Sequence, residues 1–556
     1  MKKWKIIDKS LELKTRSQDL GIAEVIEILL KNRGITSKKE IEEFLHPDLS
    51  KISINNVEIN KTSLKKSIKR IKDAIKNNEK IIIFGDYDVD GICGSAILWE
   101  EIYKSYKNVF PYIPSRTEEG YGLSIIGIES VLKIYPDVKL IITVDNGIVA
   151  HEATEYANSK NIDVIISDHH ATAKKLPKAY SIVHTTKLCG AGVAYLLSKE
   201  LTKKDKDERD DHLELVALAT IADLVPLIGA NRTFVFEGLK LLSKTKRPGL
   251  KSLFNLAGIT KNELGVYEVG YIIGPRLNAM GRLSNAMDSL RLLCTKDFKK
   301  ASFYATNLNN MNRQRQMLTE QTTIQAKNLK TNFVSKIIFT QHVEYNQGII
   351  GLVASRLVEE YYKPSFVVSI GETYSKGSAR SISGVNIIEL IRSVPSDLLL
   401  DAGGHPMAAG FTILTEKIEE FVKALDRQAK KIITEDLLQR ILKIDLVLDF
   451  TQITYGLYEK LQIFAPFGMG NPEPVFATEN VIINDMNYVG RDKNHLRLKL
   501  EKDGIVYDAI AFSFGQDKDL SVGDKIDVAY TIDKDSWNGN SKLQLKVRDI
   551  KSSGVL

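Results

Sequence analysis

Cysteine is scarce in this chain: 556 residues contain only Cys93, Cys189 and Cys294. Three scattered thiols argue against a disulfide framework or a zinc–thiolate cluster and fit a reducing, cytoplasmic compartment. No apolar run approaches the roughly 18 residues that suggest a membrane helix, so no membrane partner is expected. The basic opening MKKWKIIDKS is not followed by an apolar signal segment. Low-complexity tracts and internal repeats are also missing, so no repeat architecture is indicated. Strong charge imbalance is absent as well. A net charge of +7, with a pI near 8.8, permits nucleic-acid binding and proves little, because lysine-rich surfaces commonly carry such a charge.

What is present is an ordinary globular composition, 43% hydrophobic and 26% charged, long enough for about three or four domains. Residues 1–50 read as polar and helical, with a helix over Ile22–Asn32. Residues 61–79 form an amphipathic pattern with Leu64, Ile68, Ile71 and Ile75 on one face. The pattern then alternates between strand and helix. The short apolar runs Ile81–Phe84, Leu140–Val144 and Val164–Ile166 suit strands of a parallel sheet buried on both faces. Residues 286–330 read as one extended helix between two lobes, and a second α/β pattern begins with KIIFT at Lys336. From about Ile441 the chain turns to alternating strands such as HLRLKL and KLQLKV, the pattern of a small OB-like barrel.

The chemistry concentrates where strands end. KIIIFGDYDVDG places Asp86, Asp88 and Asp90 at every second position, and in an extended backbone alternate residues share a face. The second strand ends in Asp145-Asn146 and the third in Asp168-His169-His170, while Asp223 closes an apolar helix. Ligands of open α/β sheets bind at the carboxyl ends of strands. Packed carboxylates need a compensating cation, so Asp86, Asp88, Asp90, Asp145, His169 and Asp223 are candidate ligands for divalent metal. Imidazole among the oxygens shifts the preference towards manganese and leaves zinc open. Two such ions about 3.5–4 Å apart can clamp a phosphate and activate water. A lone Asp-x-Asp after a strand is usually only a turn; the convergence of several strand ends argues otherwise. Cys93 beside this run reads as a small core residue.

The motifs GDYDVDG, TVDNG, SDHH and ATIADLVPL, in that order, resemble the DHH phosphoesterase superfamily, and GSARS with GGHPMAAG resembles its associated domain. PSRTEEGYG, IGPRLNAMGRL, QGIIGLVASRL and PFGMGNPEP are similar to blocks of the RecJ-type exonucleases within it. The resemblance implies an α/β fold: a parallel-sheet DHH core, a connecting helix, a second α/β lobe and a C-terminal OB-like barrel. Its implied boundaries are an N-terminal helical segment (1–60), a catalytic domain (61–285), a connecting helix (286–332), a DHH-associated domain (333–435) and an OB-fold (436–556).

The resemblance also implies roles. Asp86, Asp88 and Asp145 would hold one ion; Asp90, Asp145, His169 and Asp223 would hold the other. His170 would touch the scissile phosphate and Asp168 would orient its neighbours. Arg116, Ser378 and Arg380 would read a terminal 5′-phosphate, Tyr121 would stack on the terminal base, and Arg276, Arg282 and His405 would contact the backbone. The expected activity is removal of nucleotides from the 5′ end of single-stranded DNA in repair and recombination. Mn2+ would be preferred, with Mg2+ as the alternative. The implied partners are the strand itself, a helicase and a single-strand-binding protein, with the enzyme a monomer. Compact relatives that cleave dinucleotides lack the barrel, and non-catalytic relatives lose ligands. Trp537, in SWNGN, suits either base stacking or a hairpin turn.

Overall fold

The computed structural model describes residues 2–7, 21–116, 118–202, 212–328, 333–515, 520–535 and 542–554. Trp537 lies outside the described residues. The chain divides into two compact units: Met1–Pro47, Leu227–Gly229 and Gln439–Leu556 form one, Asp48–Pro226 with Ala230–Leu438 the other.

The larger unit is built on a five-stranded parallel sheet: β1 (Lys80–Phe84), β2 (Val109–Tyr112), β3 (Val138–Val144), β4 (Asp163–Asp168) and β5 (Ser181–His184). Its spatial order is β2-β1-β3-β4-β5. The first crossover leads to one side of β1 and the next leads to the other, so the topology switches between β1 and β3. A crevice opens beyond the carboxyl ends of strands at such a point. The three apolar runs read as strands are there, each extended by a residue or more, and all are buried. The two edge strands escape a search for apolar runs. β2 contains Pro111 and is only half-buried beyond Val109, and proline is tolerated where a strand has a free edge.

Helices cover both faces. α1 (Lys61–Lys76) buries Leu64 and Ile71 as expected, but Ser67, Arg70 and Ala74 complete its face while Ile68 and Ile75 stay half-buried. The reason is polar docking on the sheet edge: Ser67 Oγ meets Ser181 Oγ at 2.7 Å, and Arg70 reaches Asp163 at 2.6 Å. α2 (Val89–Ser105), α3 (Gly190–Thr202) and α4 (Leu213–Ala222) are buried along most of their length. α5 (Gly274–Leu283) follows a π-helical turn, Glu268–Ile273.

Residues 286–330 are not one helix. α6 (Met287–Cys294) stops, and α7 (Phe298–Asn328) restarts. Thr295 Oγ1 accepts from the Asp297 amide, and Asp297 accepts from the amides of Lys299 and Lys300 at 2.7 and 3.1 Å. Such side-chain bonds to free amides mark a new helix start. The second lobe of this unit carries β6 (Ile337–His342), α8 (Ile350–Tyr361), β7 (Ser365–Ser369), β8 (Tyr374–Arg380), β9 (Asp401–His405) and β10 (Ala408–Leu414). Its sheet runs β9-β10-β8-β7-β6 and ends on the two-residue strand Phe333–Val334.

In the smaller unit, β11 (Phe476–Val489), β12 (His495–Lys502), β13 (Ile505–Ala511), β14 (Lys525–Asp535) and β15 (Lys542–Ser552) close into a barrel. β11 pairs with both β12 and β14, and β15 joins β13 to β14. Closure removes free strand edges. The N-terminal helices Ile22–Asn32 and Lys38–Leu45 share this barrel's core through Val25, Leu29 and Phe44. The strand Lys3–Ile6 pairs in parallel with Ile441–Ile444. Among the described residues no helix is long and apolar enough to cross a membrane.

Candidate metal centre

The three aspartates of GDYDVDG do not lie on a strand. β1 ends at Phe84; Asp86 follows it, Asp88 caps α2 and Asp90 sits in that helix's first turn. Asp88 Oδ1 accepts from the amides of Asp90 and Gly91 at 3.0 and 3.1 Å. The alternation argument therefore names residues that do come together, but for the wrong local reason. The strand-to-helix turn brings them together, and capping outcompetes extension. Asp90 is fixed further by α3, whose first amides, Gly190 and Ala191, each donate to its carboxylate at 2.7 Å. A helix N-terminus favours negative charge there.

Asp145 follows β3 with a positive φ of 65°, a left-handed conformation that aspartate tolerates better than most residues. Non-glycine residues held so often cluster at functional sites. A Cβ on Gly190 would lie 2.6 Å from Asp145 Cβ, so only glycine lets α3 approach this closely. His169 Nε2, beyond β4, lies 3.1 Å from Asp145 Oδ1, 3.5 Å from Asp90 Oδ2 and 3.7 Å from Asp223 Oδ2. Asp223 caps the C-terminus of α4. Potential ligand atoms form three close groups: Asp86, Asp88 and Asp145; Asp90, His169 and Asp223; Asp145, His169 and His170.

The donor set fits divalent cations. Asp86 and Asp145 are each 2% exposed, and one oxygen of each is buried without a hydrogen-bond partner. Burial, reinforced by the neighbouring carboxylates, raises Asp86, Asp88 and Asp145 above the usual range and pushes Asp223 up to about 9. Burial also lowers His169, leaving a neutral imidazole able to act as a ligand. A pocket of packed carboxylates with orphaned oxygens and a neutral imidazole holds more negative than positive charge, an imbalance that a hard cation would offset.

His170 is different. Burial opposes its charge, but Asp168 outweighs that and raises it to about 9. Its Nδ1 lies 2.8 Å from Asp168 Oδ1, and Tyr121 Oη lies 3.1 Å from its Nε2. Asp168 also accepts from the amides of Ile148, His169 and His170 at 2.9, 2.7 and 3.2 Å. It holds the His170 ring and the His169 backbone, and is itself held low despite its burial. The His405 ring lies nearly parallel to His170, centroids 6.1 Å apart.

Arg116 lies over the Tyr87 ring at 5.3 Å. Arg380 Nη1 donates to Ser378 Oγ at 3.0 Å. Burial and then the charge of Arg116 lower Arg380 and bring Arg282 to about 10. Guanidiniums gathered this closely, two of them held below the usual arginine range, make the surroundings electropositive and suited to an anion. A cleft of about 740 Å³ lined by Arg116, Arg282, Asn285 and Asn346 opens beside them. Arg276 is tethered by two of its nitrogens, Nε donating to Asn309 Oδ1 and Nη1 to the Ile272 carbonyl.

Two positioning residues escape sequence reasoning. Asn146 Nδ2 donates to the carbonyls of Phe84 and Val144, and its Oδ1 accepts from Leu123, tying β1 to β3 across the switch point. Asn278 Oδ1 accepts from the Val89 amide at 2.9 Å, fixing the start of α2. The first adjoins Asp145 in TVDNG and could be suspected from position; the second carries no local signal.

Three family models match: the DHH family N-terminal domain over residues 80–220, the DHHA1 domain over 331–431 and the RecJ OB domain over 444–549. The chain is 33% identical over 552 residues to the single-stranded-DNA-specific exonuclease RecJ of Bacillus subtilis, covering 97% of this chain and 69% of that one. The crystal structure of RecJ in complex with Mn2+ from Thermus thermophilus is similar with a TM-score of 0.83 and 27% identity, covering 99% of this chain and 79% of that one. The corresponding Mg2+ complex gives a TM-score of 0.76 at 26% identity, covering 99% and 78%.

Proposed function

Because this chain belongs to the RecJ family of single-stranded-DNA-specific exonucleases, we propose that it shortens single-stranded DNA from the 5′ end, releasing 5′-mononucleotides in repair and recombination. The enzyme is a metal-dependent exonuclease of the DHH class. The observation that carries the finer reading is the juxtaposition of orphaned Asp86 and Asp145 oxygens with the mutually repelling arginines 116, 282 and 380. Asp86, Asp88 and Asp145 would hold one divalent cation; Asp90, Asp145, His169 and Asp223 would hold a second, with Asp145 shared. When bound, such ions supply a nucleophilic water at neutral pH and neutralise phosphate charge.

The chain's own residues do the rest. His170, kept charged by Asp168, donates a hydrogen bond to a non-bridging oxygen of the scissile phosphate. Arg116, Ser378 and Arg380 bind the terminal 5′-phosphate, and a guanidinium fork suits that task. Tyr121 packs on the terminal base. Arg276, Arg282 and His405 contact the phosphate backbone. Fixing the end at a set distance from the ligands selects exonucleolytic cleavage: the P–O3′ bond breaks and the 3′-hydroxyl leaves. The domain roles follow, with residues 61–285 catalytic, 286–332 connecting, 333–435 reading the end and 436–556 gripping the trailing strand. On this reading the enzyme prefers Mn2+ and tolerates Mg2+. It works in the cytoplasm as a monomer, beside a helicase and a single-strand-binding protein.

Single and double strands carrying either a 5′ or a 3′ label, digested with Mn2+, test this. The 5′ label should appear first as mononucleotide, and only from single strands. Equal digestion from both ends, or digestion of duplex alone, overturns the reading.

A further inference from the structure

The π-helical turn Glu268–Ile273 precedes the α5 segment that carries Arg276 and Arg282. π-Turns are rare and frequently occur at functional sites. Two aromatics face outward here, Tyr267 immediately before the turn and Tyr271 within it. Tyr267 and Tyr271 are 62% and 74% exposed, with ring centroids 5.1 Å apart and planes 24° from parallel. Rings that open gain little from burial, so packing does not account for them.

The back of the same turn is anchored beside the metal centre. A Cβ on Gly270 would lie 3.8 Å from Ile221 Cγ2, and one on Gly274 would lie 3.6 Å from Ala222 Cβ. Those residues end α4, and Asp223 caps it. Leu224, next in the chain, is 64% exposed. Cations accompany the rings. Arg276 folds back so that its Nη1 donates to the Ile272 carbonyl at 2.7 Å, while its Nε donates to Asn309 Oδ1 at 3.2 Å. Arg313 lies one helical turn beyond Asn309 on α7. The carboxylate of the turn, Glu268, is already tied to Lys261 at 2.6 Å and to the Gly265 amide, so it does not oppose a polyanion.

We propose that Tyr267 and Tyr271 form a stacking platform for bases of the uncleaved strand, with Arg276 and Arg313 on its phosphates. This rests on the exonuclease reading and adds a binding site to it. Stacking is sequence-tolerant, since every base has a π-face, as a processing enzyme requires. It also favours single strands, because the bases of a duplex are already stacked on one another.

Steady-state digestion of a long 5′-phosphorylated strand by wild type, Tyr267→Ala/Tyr271→Ala and Tyr267→Phe/Tyr271→Phe tests the platform. The alanine pair should raise KM about tenfold with kcat unchanged. The phenylalanine pair should behave as wild type, and the salt slope of binding should stay the same, since no phosphate contact is lost. With a chelator present, a strand containing 5-iododeoxyuridine should photocrosslink to Tyr267 or Tyr271. An alanine pair with a wild-type KM, a phenylalanine pair as impaired as alanine, or crosslinks confined to other residues would overturn the proposal. Failure of wild type to digest the strand counts instead against the exonuclease reading, and the crosslink still decides the platform.

Discussion

At the residue scale, the cluster of candidate ligands was legible because such side chains stand in short motifs. Asp86, Asp88 and Asp90 stand in one heptapeptide, and Asp145, His169 and Asp223 each follow an apolar run. What the sequence could not show is why they converge: a capped turn, a left-handed Asp145 and a glycine-permitted helix approach. Asn278 was invisible for the same reason, since its partner Val89 is remote in sequence. The shared role proposed for Asp145 gives a prediction with two readouts. Asparagine also tolerates positive φ, so Asp145→Asn should preserve the fold while abolishing cleavage. It should raise the Tm of the metal-free protein, because it removes one of several mutually repelling buried carboxylates. Mn2+ at about a hundredfold over its Kd stabilises wild type by about 2.7 kcal/mol through binding; the variant should lose most of that shift. Calorimetry with and without Mn2+ checks both, and a full Mn2+ shift in the variant would reject the shared-ligand assignment.

At the element scale, apolar runs and helix periodicity located the main strands and α1, but edges and breaks were missed. β2 and β5 are short and half-exposed, and the α6–α7 break is set by the side chains of Thr295 and Asp297. Buried charge between helices was equally hidden. Arg247 donates to Glu100 on α2 at 2.7 and 2.8 Å and to Glu214 on α4 at 2.8 Å, and His212 Nε2 lies 3.1 Å from Glu100. Removing one partner from such a cluster leaves uncompensated buried charge, so Arg247→Met should cost about 3–5 kcal/mol. The cluster also has a pH signature. Burial alone would raise Glu100, but His212 and Arg247 prevail and hold it far below the usual range. A depressed carboxyl contributes stability above its unfolded pKa, about 4.3, and loses it as pH falls towards the folded value. Thermal melts below about pH 5 should therefore fall more steeply for wild type than for Glu100→Gln; parallel slopes would show that the pairing contributes nothing.

At the scale of the whole molecule, domain types were legible while chain economy was not. The barrel could be read from alternation in HLRLKL and KLQLKV. Nothing local announces that its core is completed by the other end of the chain. Yet Val25, Leu29 and Phe44 share one buried cluster with Leu457, Leu461, Phe464 and Phe476. The Phe44 ring meets Phe464 edge-on at 5.7 Å, and Arg33, 4.9 Å over that same ring, donates to Asn471 and to the Pro472 carbonyl. Long-range partners of this kind leave no periodic trace, because each segment is amphipathic whatever it packs against. The consequence is that residues 439–556 should not behave as a free-standing barrel. Without residues 21–47 the helical end of the core is stripped of its cover, and exposed apolar surface of this kind drives aggregation. Expressed alone, the C-terminal segment should be insoluble or should bind a hydrophobic dye, and linking residues 21–47 to it should restore a cooperative melt. Phe44→Ala in the full chain should cost about 3–5 kcal/mol in the transition of this unit. Hydrogen exchange would localise that loss: faster exchange in β11 and Tyr455–Leu461 with the sheet from β1 to β5 unaffected supports the shared core, whereas unchanged exchange around Leu457 and Phe476 would show that the N-terminal helices are dispensable to it.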